Sequence, residues 1–399
     1  MFTTRLRFLT AGESHGPSLT GILDGMPAGL PLDEATLARD LARRQQGFGA
    51  GARMQLEQDH AHITGGVMAG RTTGGPIALV IANKDHANWA TKDVAPMTVP
   101  RPGHADLTGA LKFGHRDLRL SLERASARET AMRVAVGACC RALLAEFGIV
   151  VGGYVTRIGD VALADAEPVA DPATFEERFT AAAQNDVRCP DPAVAARMHD
   201  AIAAVIRARD TLGGIVEVAA LHVPPGLGSY GQADRRLDAR LAAALMSTPA
   251  VKGVEFGLGF GAAPLRGTVS HDAIELDGDE LVRPSNRAGG LEGGISNGMP
   301  LVARIALKPI ATTLTPQRSV DLATGEAADT KYERSDFCQV PRAVPIAEAM
   351  VAIVLADALL EKLGGDSLEE MRPRLFALRQ ARASHLPMDG APWRFGYGS

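Results

Sequence analysis

Two histidines stand where an imidazole could meet a ligand: His15 within Gly12-Glu13-Ser14-His15-Gly16, and His104 within Arg101-Pro102-Gly103-His104-Ala105-Asp106. Imidazole is the usual proton donor and acceptor near neutral pH. Glycines bracketing such a loop let the backbone approach a small molecule closely. A lone loop histidine is more often structural, so the pair gains meaning from its company. Arg101, Arg124, Arg128 and Lys308 fall in loops or at element ends. Together they point to an anionic substrate whose leaving group needs a proton.

The cations Arg124 and Arg128 flank the stretch Arg124-Ala125-Ser126-Ala127-Arg128-Glu129-Thr130. The S-x-x-E spacing of Ser126 and Glu129 predicts a capping box, with a helix running on through Phe147 and stopping at Gly148. A helix N-terminus offers unpaired N–H groups and partial positive charge, so an anion site is one reading. An ordinary capped core helix with solvated arginines is the other.

The flanking elements follow from periodicity. A short strand, Arg5 to Thr10, enters the His15 loop and a second, Leu19 to Leu23, leaves it. Asp33 to Arg44 reads as a helix with Leu37 and Leu41 on one face. Ile77 to Ala82 is an apolar strand, and Asn83 to Gly103 is a long irregular connection of the kind that is usually functional or disordered. Strands are expected at Val150 to Ile158, Ile215 to Val223 and Met299 to Lys308. Helices are expected up to about Asp186, over Pro192 to Arg209 and over Arg235 to Met246. Pro316 to Tyr332 reads as an exposed loop, and Pro345 to Leu363 as a buried helix, apolar almost all round. No linker or low-complexity block divides the chain. The expectation is one α+β domain over 1–399, with its core at about 5–363 and a peripheral tail at 364–399.

Composition narrows the function. The chain has 399 residues, 46% of them apolar, with a net charge of −4, which gives no overall reason to bind nucleic acid or an anionic membrane. Of 42 basic residues only seven are lysine, so an arginine needs its position to count as evidence. Cys139, Cys140, Cys189 and Cys338 match neither a zinc ribbon nor a redox pair and read as buried free thiols of a reducing compartment. The N-terminal segment has no apolar run of signal-peptide length, and Ala349 to Ala356 is too short to span a bilayer. A cytoplasmic protein is expected. His60-Ala61-His62 has neither helical ligand spacing nor a nearby carboxylate of the right kind, so no metal site is expected. P-loop and nucleophile-elbow patterns are absent, and the glycines at 47–51 follow a helix, which makes them a poor dinucleotide fingerprint.

Taken together, the His15 loop with Ile22-Leu23-Asp24-Gly25-Met26-Pro27, the His104 loop, Arg124 to Thr130, Gly293-Gly294-Ile295-Ser296-Asn297-Gly298, and Arg334-Ser335-Asp336 with Pro341-Arg342-Ala343-Val344-Pro345 resemble the chorismate synthase family in order and spacing. The resemblance covers about Arg5 to Leu363. It implies a β-α-β sandwich assembled as a homotetramer, and the conversion of 5-enolpyruvylshikimate 3-phosphate to chorismate in the shikimate pathway. That reaction is an anti 1,4-elimination of phosphate, with no net redox change, that requires reduced FMN. By the resemblance His15 protonates the departing phosphate, His104 governs flavin protonation, and Asp336 relays the abstracted proton. Arg124, Ala125, Ser126, Ala250, Gly293, Lys308, Pro309, Ile310, Ala311, Thr312 and Arg334 match FMN-contacting positions. Arg44 and Arg128, with Arg334, are candidates for the substrate's phosphate and carboxylates.

The chain departs from the family pattern in two places. Ala50 stands where a second arginine is common, with Arg53 able to reach the same space, and Phe337 follows Asp336 where smaller residues are usual. NAD(P)H enters the expectation only indirectly, through a separate flavin reductase. Another flavoenzyme or phosphate lyase on the same scaffold, or a non-enzymatic anion binder, are the competing classes.

Overall fold

The computed structural model describes residues 5–50, 58–164, 168–333 and 335–396. Two antiparallel sheets carry the architecture. The first is built from β1 (Arg7–Ala11), β2 (Ser18–Asp24), β3 (Ala61–Gly65) and β4 (Ile77–Ala82), in the order β1-β2-β4-β3. The second is built from β5 (Val150–Ile158), β6 (Val161–Ala162), β7 (Gly214–Leu221), β8 (Val251–Phe256) and β9 (Leu301–Leu307), in the order β8-β9-β7-β5-β6. The alternation in β2 and β4 buries Leu19, Leu23, Ile77, Leu79 and Ile81 on one face, as period-two patterning requires.

Among the described residues the helices longer than one turn are α1 (Glu34–Gln45), α2 (Asp106–Phe113), α3 (Arg119–Ala125), α4 (Thr130–Ala145), α5 (Pro172–Ala183), α6 (Pro192–Arg207), α7 (Leu237–Met246), α8 (Val340–Leu363) and α9 (Leu368–Phe376). α4 touches strands of both sheets, while α8 packs on α4, α1 and α7 and on β5 and β7. The core therefore gathers around α4 and α8. α8 is long and apolar enough to cross a membrane by composition, but nearly all of it is buried inside the fold. Its charged residues are paired there: Glu348 accepts from Arg43 at 2.6 Å and Arg141 at 2.8 Å, and Asp357 accepts from Arg240 and from the Leu6 N–H. All four cysteines are free and buried, and burial pushes the Cys139 and Cys338 thiols up to about 12.

Several expectations need correction. The capping box does not form: Ser126 caps a single 3₁₀ turn, Ala127–Glu129, accepting from the Arg128 N–H at 3.3 Å. Glu129 turns away to accept from Thr10 Oγ1 at 2.7 Å and Arg133 Nε at 2.9 Å, and α4 begins only at Thr130. α8 starts five residues before Pro345, because Pro341 sits in the first turn, where its missing N–H costs nothing, and Pro345 removes one later bond. The segment read as a loop at Pro316 to Tyr332 holds a hairpin, Arg318–Asp321 with Glu326–Asp329; its strands are polar and exposed, so no apolar pattern marked them. β3, β8, α2, α3 and α9 also went unread, being short or only weakly periodic.

One close approach locks the core. A Cβ at Gly137 of α4 would lie 2.3 Å from Ala349 Cβ and 2.6 Å from its Cα on α8. Gly to Ala in a free helix gains about 1 kcal/mol, but forced overpacking costs roughly 1–3 kcal/mol, and here the obstacle includes backbone. Gly137→Ala is expected to lower the urea midpoint of unfolding. An unchanged or raised midpoint would show that the two helices separate freely.

Candidate active site

The β1–β2 hairpin loop is the His15 loop, and it is tied down on three sides. The Ser14 N–H donates to Glu123 O at 3.1 Å. The Asn83 side-chain amide donates to Glu13 O and Gly16 O at 3.1 and 2.8 Å. His15 itself is held by Glu123 of α3: its N–H donates to Oε2 at 2.8 Å, and Nδ1 lies 2.7 Å from Oε1. Trp89 packs against the ring with centroids 4.3 Å apart. Burial alone would raise the Glu123 carboxyl, but hydrogen bonds from the His15 ring and backbone outweigh it and hold the acid below its usual range.

His104 is fixed in the same manner. Its Nδ1 lies 2.5 Å from Asp106 Oδ1 and 3.0 Å from an Arg101 nitrogen. The shorter contact is to the acceptor, so the consistent tautomer has Nδ1–H donating to Asp106. Arg101 grips Asp106 with two nitrogens, at 2.8 and 2.9 Å, and reaches Thr312 Oγ1 at 2.9 Å. Burial pushes the Asp106 carboxyl up, yet Arg101 and His104 together bring it well below the ordinary range.

Behind the histidines sits a buried cluster of arginines. Asp59, its side chain fully enclosed, accepts from Arg128 at 2.5 Å and from Arg44 at 3.3 Å. Arg44 also donates to Thr130 Oγ1 at 3.0 Å and to Ala127 O at 3.1 Å, so its guanidinium lies against the start of α4. Arg128 Nε donates to Asn83 Oδ1 at 2.9 Å. Arg342 reaches Asp336, and its Nε donates to Arg44 O at 3.1 Å. Burial, then repulsion from Arg342 and Arg128, pushes Arg44 down to about 9, with Asp59 and Asp336 opposing.

These groups face one cleft of about 490 Å³, inside the span of about 300–1,000 Å³ usual for small-molecule sites. His15, His104, Asp336, Arg44, Arg128, Ala125, Ser126, Ala250 and Lys308 through Thr312 all line it. Ala250 has a positive φ of 71°, rare for a residue with a side chain, and the Lys308 N–H bonds its carbonyl at 3.0 Å. The fold does not bring Arg124 or Gly293 to the cleft. Arg124 is a clasp, donating to Thr10 O at 2.8 Å and Gly12 O at 3.4 Å, and Gly293 lies in the turn between Leu291–Glu292 and Ile295–Ser296. Arg334 and Arg53 lie outside the described residues. Phe337 is not part of the lining, and its backbone pairs with Gly49 and Leu212.

Sequence reasoning missed Glu123, Asp106, Asp59 and Asn83 as the partners that hold these groups. Asp106 stood two residues from His104 and was open to a local reading, but no local spacing signals pairings made across 45 to 108 residues, as for Asn83 with Arg128 and Glu123 with His15. His60 and His62 also need correction: the fold sets Glu34 beside both.

Paired, carboxylate-anchored imidazoles over a cation-lined cleft are groups that could serve acid/base chemistry on an anionic small molecule. The family model for chorismate synthase matches residues 6–360, and the chain belongs to that family. It is 53% identical over 384 residues to chorismate synthase of Trichlorobacter lovleyi, covering 92% of this chain and 97% of that protein. The chorismate synthase of Aquifex aeolicus is 52% identical over 382 residues, covering 92% and 96%. A crystal structure of chorismate synthase superposes with a TM-score of 0.79 at 44% identity, covering 94% of this chain and 97% of that one.

Removing the shared carboxylate tests the arginine cluster. Leaving a buried charge without its partner costs about 3–5 kcal/mol, and Asp59→Asn strips the carboxylate from two. The variant is expected to lose about 3 kcal/mol of unfolding free energy in urea. A loss below about 1 kcal/mol would mean that other groups hold Arg44 and Arg128.

Proposed function

We propose that this chain converts 5-enolpyruvylshikimate 3-phosphate to chorismate by anti 1,4-elimination of phosphate, using reduced FMN without net redox change, within the shikimate pathway. The observation that carries this reading is the convergence of His15, His104 and Asp336 on a cleft ringed by Arg44, Arg101, Arg128, Arg342 and Lys308. A substrate bearing a phosphate and two carboxylates, together with a flavin phosphate, needs that density of cations. Apolar Leu122, Pro249, Pro309 and Ile310 line the same cleft and suit a flat ring system, so the residues present fit the cofactor. Ala125, Ser126, Ala250 and Lys308 to Thr312 would hold it. Bound there, reduced FMN supplies electron density that weakens the substrate's C–O bond.

The chain's own groups then move the protons. His15 has Nδ1 committed to Glu123, so Nε2 would deliver a proton to the departing phosphate oxygen. His104, anchored by Asp106, sets the protonation of the cofactor edge. Asp336, held by Arg342, would take up the proton lost from the substrate. We read the helices and two sheets as one domain built as the family's β-α-β sandwich. Exposed Leu107, Leu111, Phe113 and Leu120 on α2 and α3 offer an apolar face for a homotetramer. The buried thiols fit a cytoplasmic setting. We read reducing power as coming from NAD(P)H through a separate reductase, because every pairing in the two main sheets described is antiparallel and no parallel dinucleotide-binding unit is formed among the described residues.

The test is an oxygen-free assay with dithionite-reduced FMN. The parent chain should release chorismate and phosphate in equal amounts. His15→Ala and His104→Ala should each fall by about 100- to 10,000-fold while remaining folded, and NADPH in place of dithionite should give no product. Absence of chorismate from the parent chain would refute the activity. Near-parental turnover in either variant would remove that histidine from the mechanism, and full turnover on NADPH alone would remove the separate reductase.

A further inference from the structure

Away from the cleft, on the outer face of the first sheet, three potential metal ligands converge. Along the chain entering β3, Asp59 is buried, His60 exposed, Ala61 buried and His62 exposed. This alternation sends both imidazoles to one face, where they meet Glu34, the first residue of α1. Glu34 Oε2 lies 2.8 Å from His60 Nε2 and 3.5 Å from His62 Nδ1. All three ligand atoms fall within 4.8 Å of one another, and the two rings meet edge to face at 72°. Among the described residues this is the one such cluster of three.

We propose that Glu34, His60 and His62 form a binding site for a divalent transition-metal ion of the zinc class. Bonds of about 2.05 Å at tetrahedral angles place neighbouring donor atoms about 3.3 Å apart, between the two spacings already present. The donor set is two imidazoles and one carboxylate, which suits zinc, cobalt or nickel and disfavours magnesium and calcium, whose ligands are oxygens. The carboxylate is pre-positioned: the Ile63 N–H donates to Glu34 Oε1 at 3.0 Å, leaving Oε2 turned toward both rings, as an outer-shell bond orients a metal ligand. With Glu34, His60 and His62 38%, 47% and 58% exposed, the remaining coordination position opens to water. On binding, the ion displaces the proton now shared between Glu34 and His60.

The site has a structural consequence. It joins the start of α1 to the strand whose inward neighbour, Asp59, holds Arg44 and Arg128. An ion there would clamp the helix that carries Arg44 to the strand that anchors it.

The test is calorimetric titration of the chelator-treated full chain with zinc chloride. One ion per chain is expected, with a dissociation constant in the micromolar range or below, and with a rise in melting temperature. Magnesium chloride should give no saturable binding. His60→Ala/His62→Ala should abolish zinc binding and Glu34→Gln should weaken it at least tenfold, with circular dichroism confirming the fold; should the double variant not fold, His62→Ala alone serves. No saturable zinc binding by the parent chain, or unchanged affinity in the folded histidine variants, would overturn the proposal.

Discussion

Guanidinium groups crowd the back of this cleft, with Arg44, Arg101, Arg128 and Arg342 all less than a tenth exposed, and the rest of the site is arranged around keeping them there. Burying a charge is costly unless it is paired and hydrogen-bonded. Each arginine therefore has a carboxylate partner: Asp59 for Arg44 and Arg128, Asp106 for Arg101, Asp336 for Arg342. The pairing holds the cations close together, and burial first, then repulsion from Arg342 and Arg128, lowers Arg44. An anion placed in the cleft would offset that repulsion.

The scaffold supplies the necessary rigidity. α4 and α8 approach closely enough at Gly137 and Ala349 that no side chain fits between them, and α1 lies against both. Arg44 ends α1, Thr130 opens α4 and Arg342 sits in the first turns of α8, so three packed helix ends meet at the cleft. Asn83 couples this cluster to the histidine loop, bonding Arg128 through its oxygen and Glu13 and Gly16 through its nitrogen. The same carboxylate-to-imidazole device is used twice, with Glu123 for His15 and Asp106 for His104, committing Nδ1 of each ring to a carboxylate.

Much of this was legible in the sequence where the signal was local. The strands Ile77–Ala82 and Val150–Ile158 and the helix α1 follow from periodicity. The histidine loops were legible from their glycines, and the resemblance of separated motifs brought His15, His104, Asp336 and the Lys308 to Thr312 run to one place. Long-range pairings were illegible. Nothing near Ser126 showed that Glu129 would prefer Thr10 and Arg133 to a capping box. Arg124 stands in the same motif as Ala125 and Ser126, but only the fold shows its side chain bonding Thr10 and Gly12. Glu34 stands 26 residues from His60, so the metal-like cluster became visible only once α1 packed on β3.

The central claim is that one cleft of about 490 Å³ receives both the flavin and the substrate. Two ligands filling one such space shield each other from water, so each should favour the other. Calorimetric titration of FMN into the chain, alone and then saturated with 5-enolpyruvylshikimate 3-phosphate, tests this directly. The account predicts an FMN affinity at least tenfold higher with substrate present; equal affinity in the two titrations would mean separate, uncoupled sites and would contradict it.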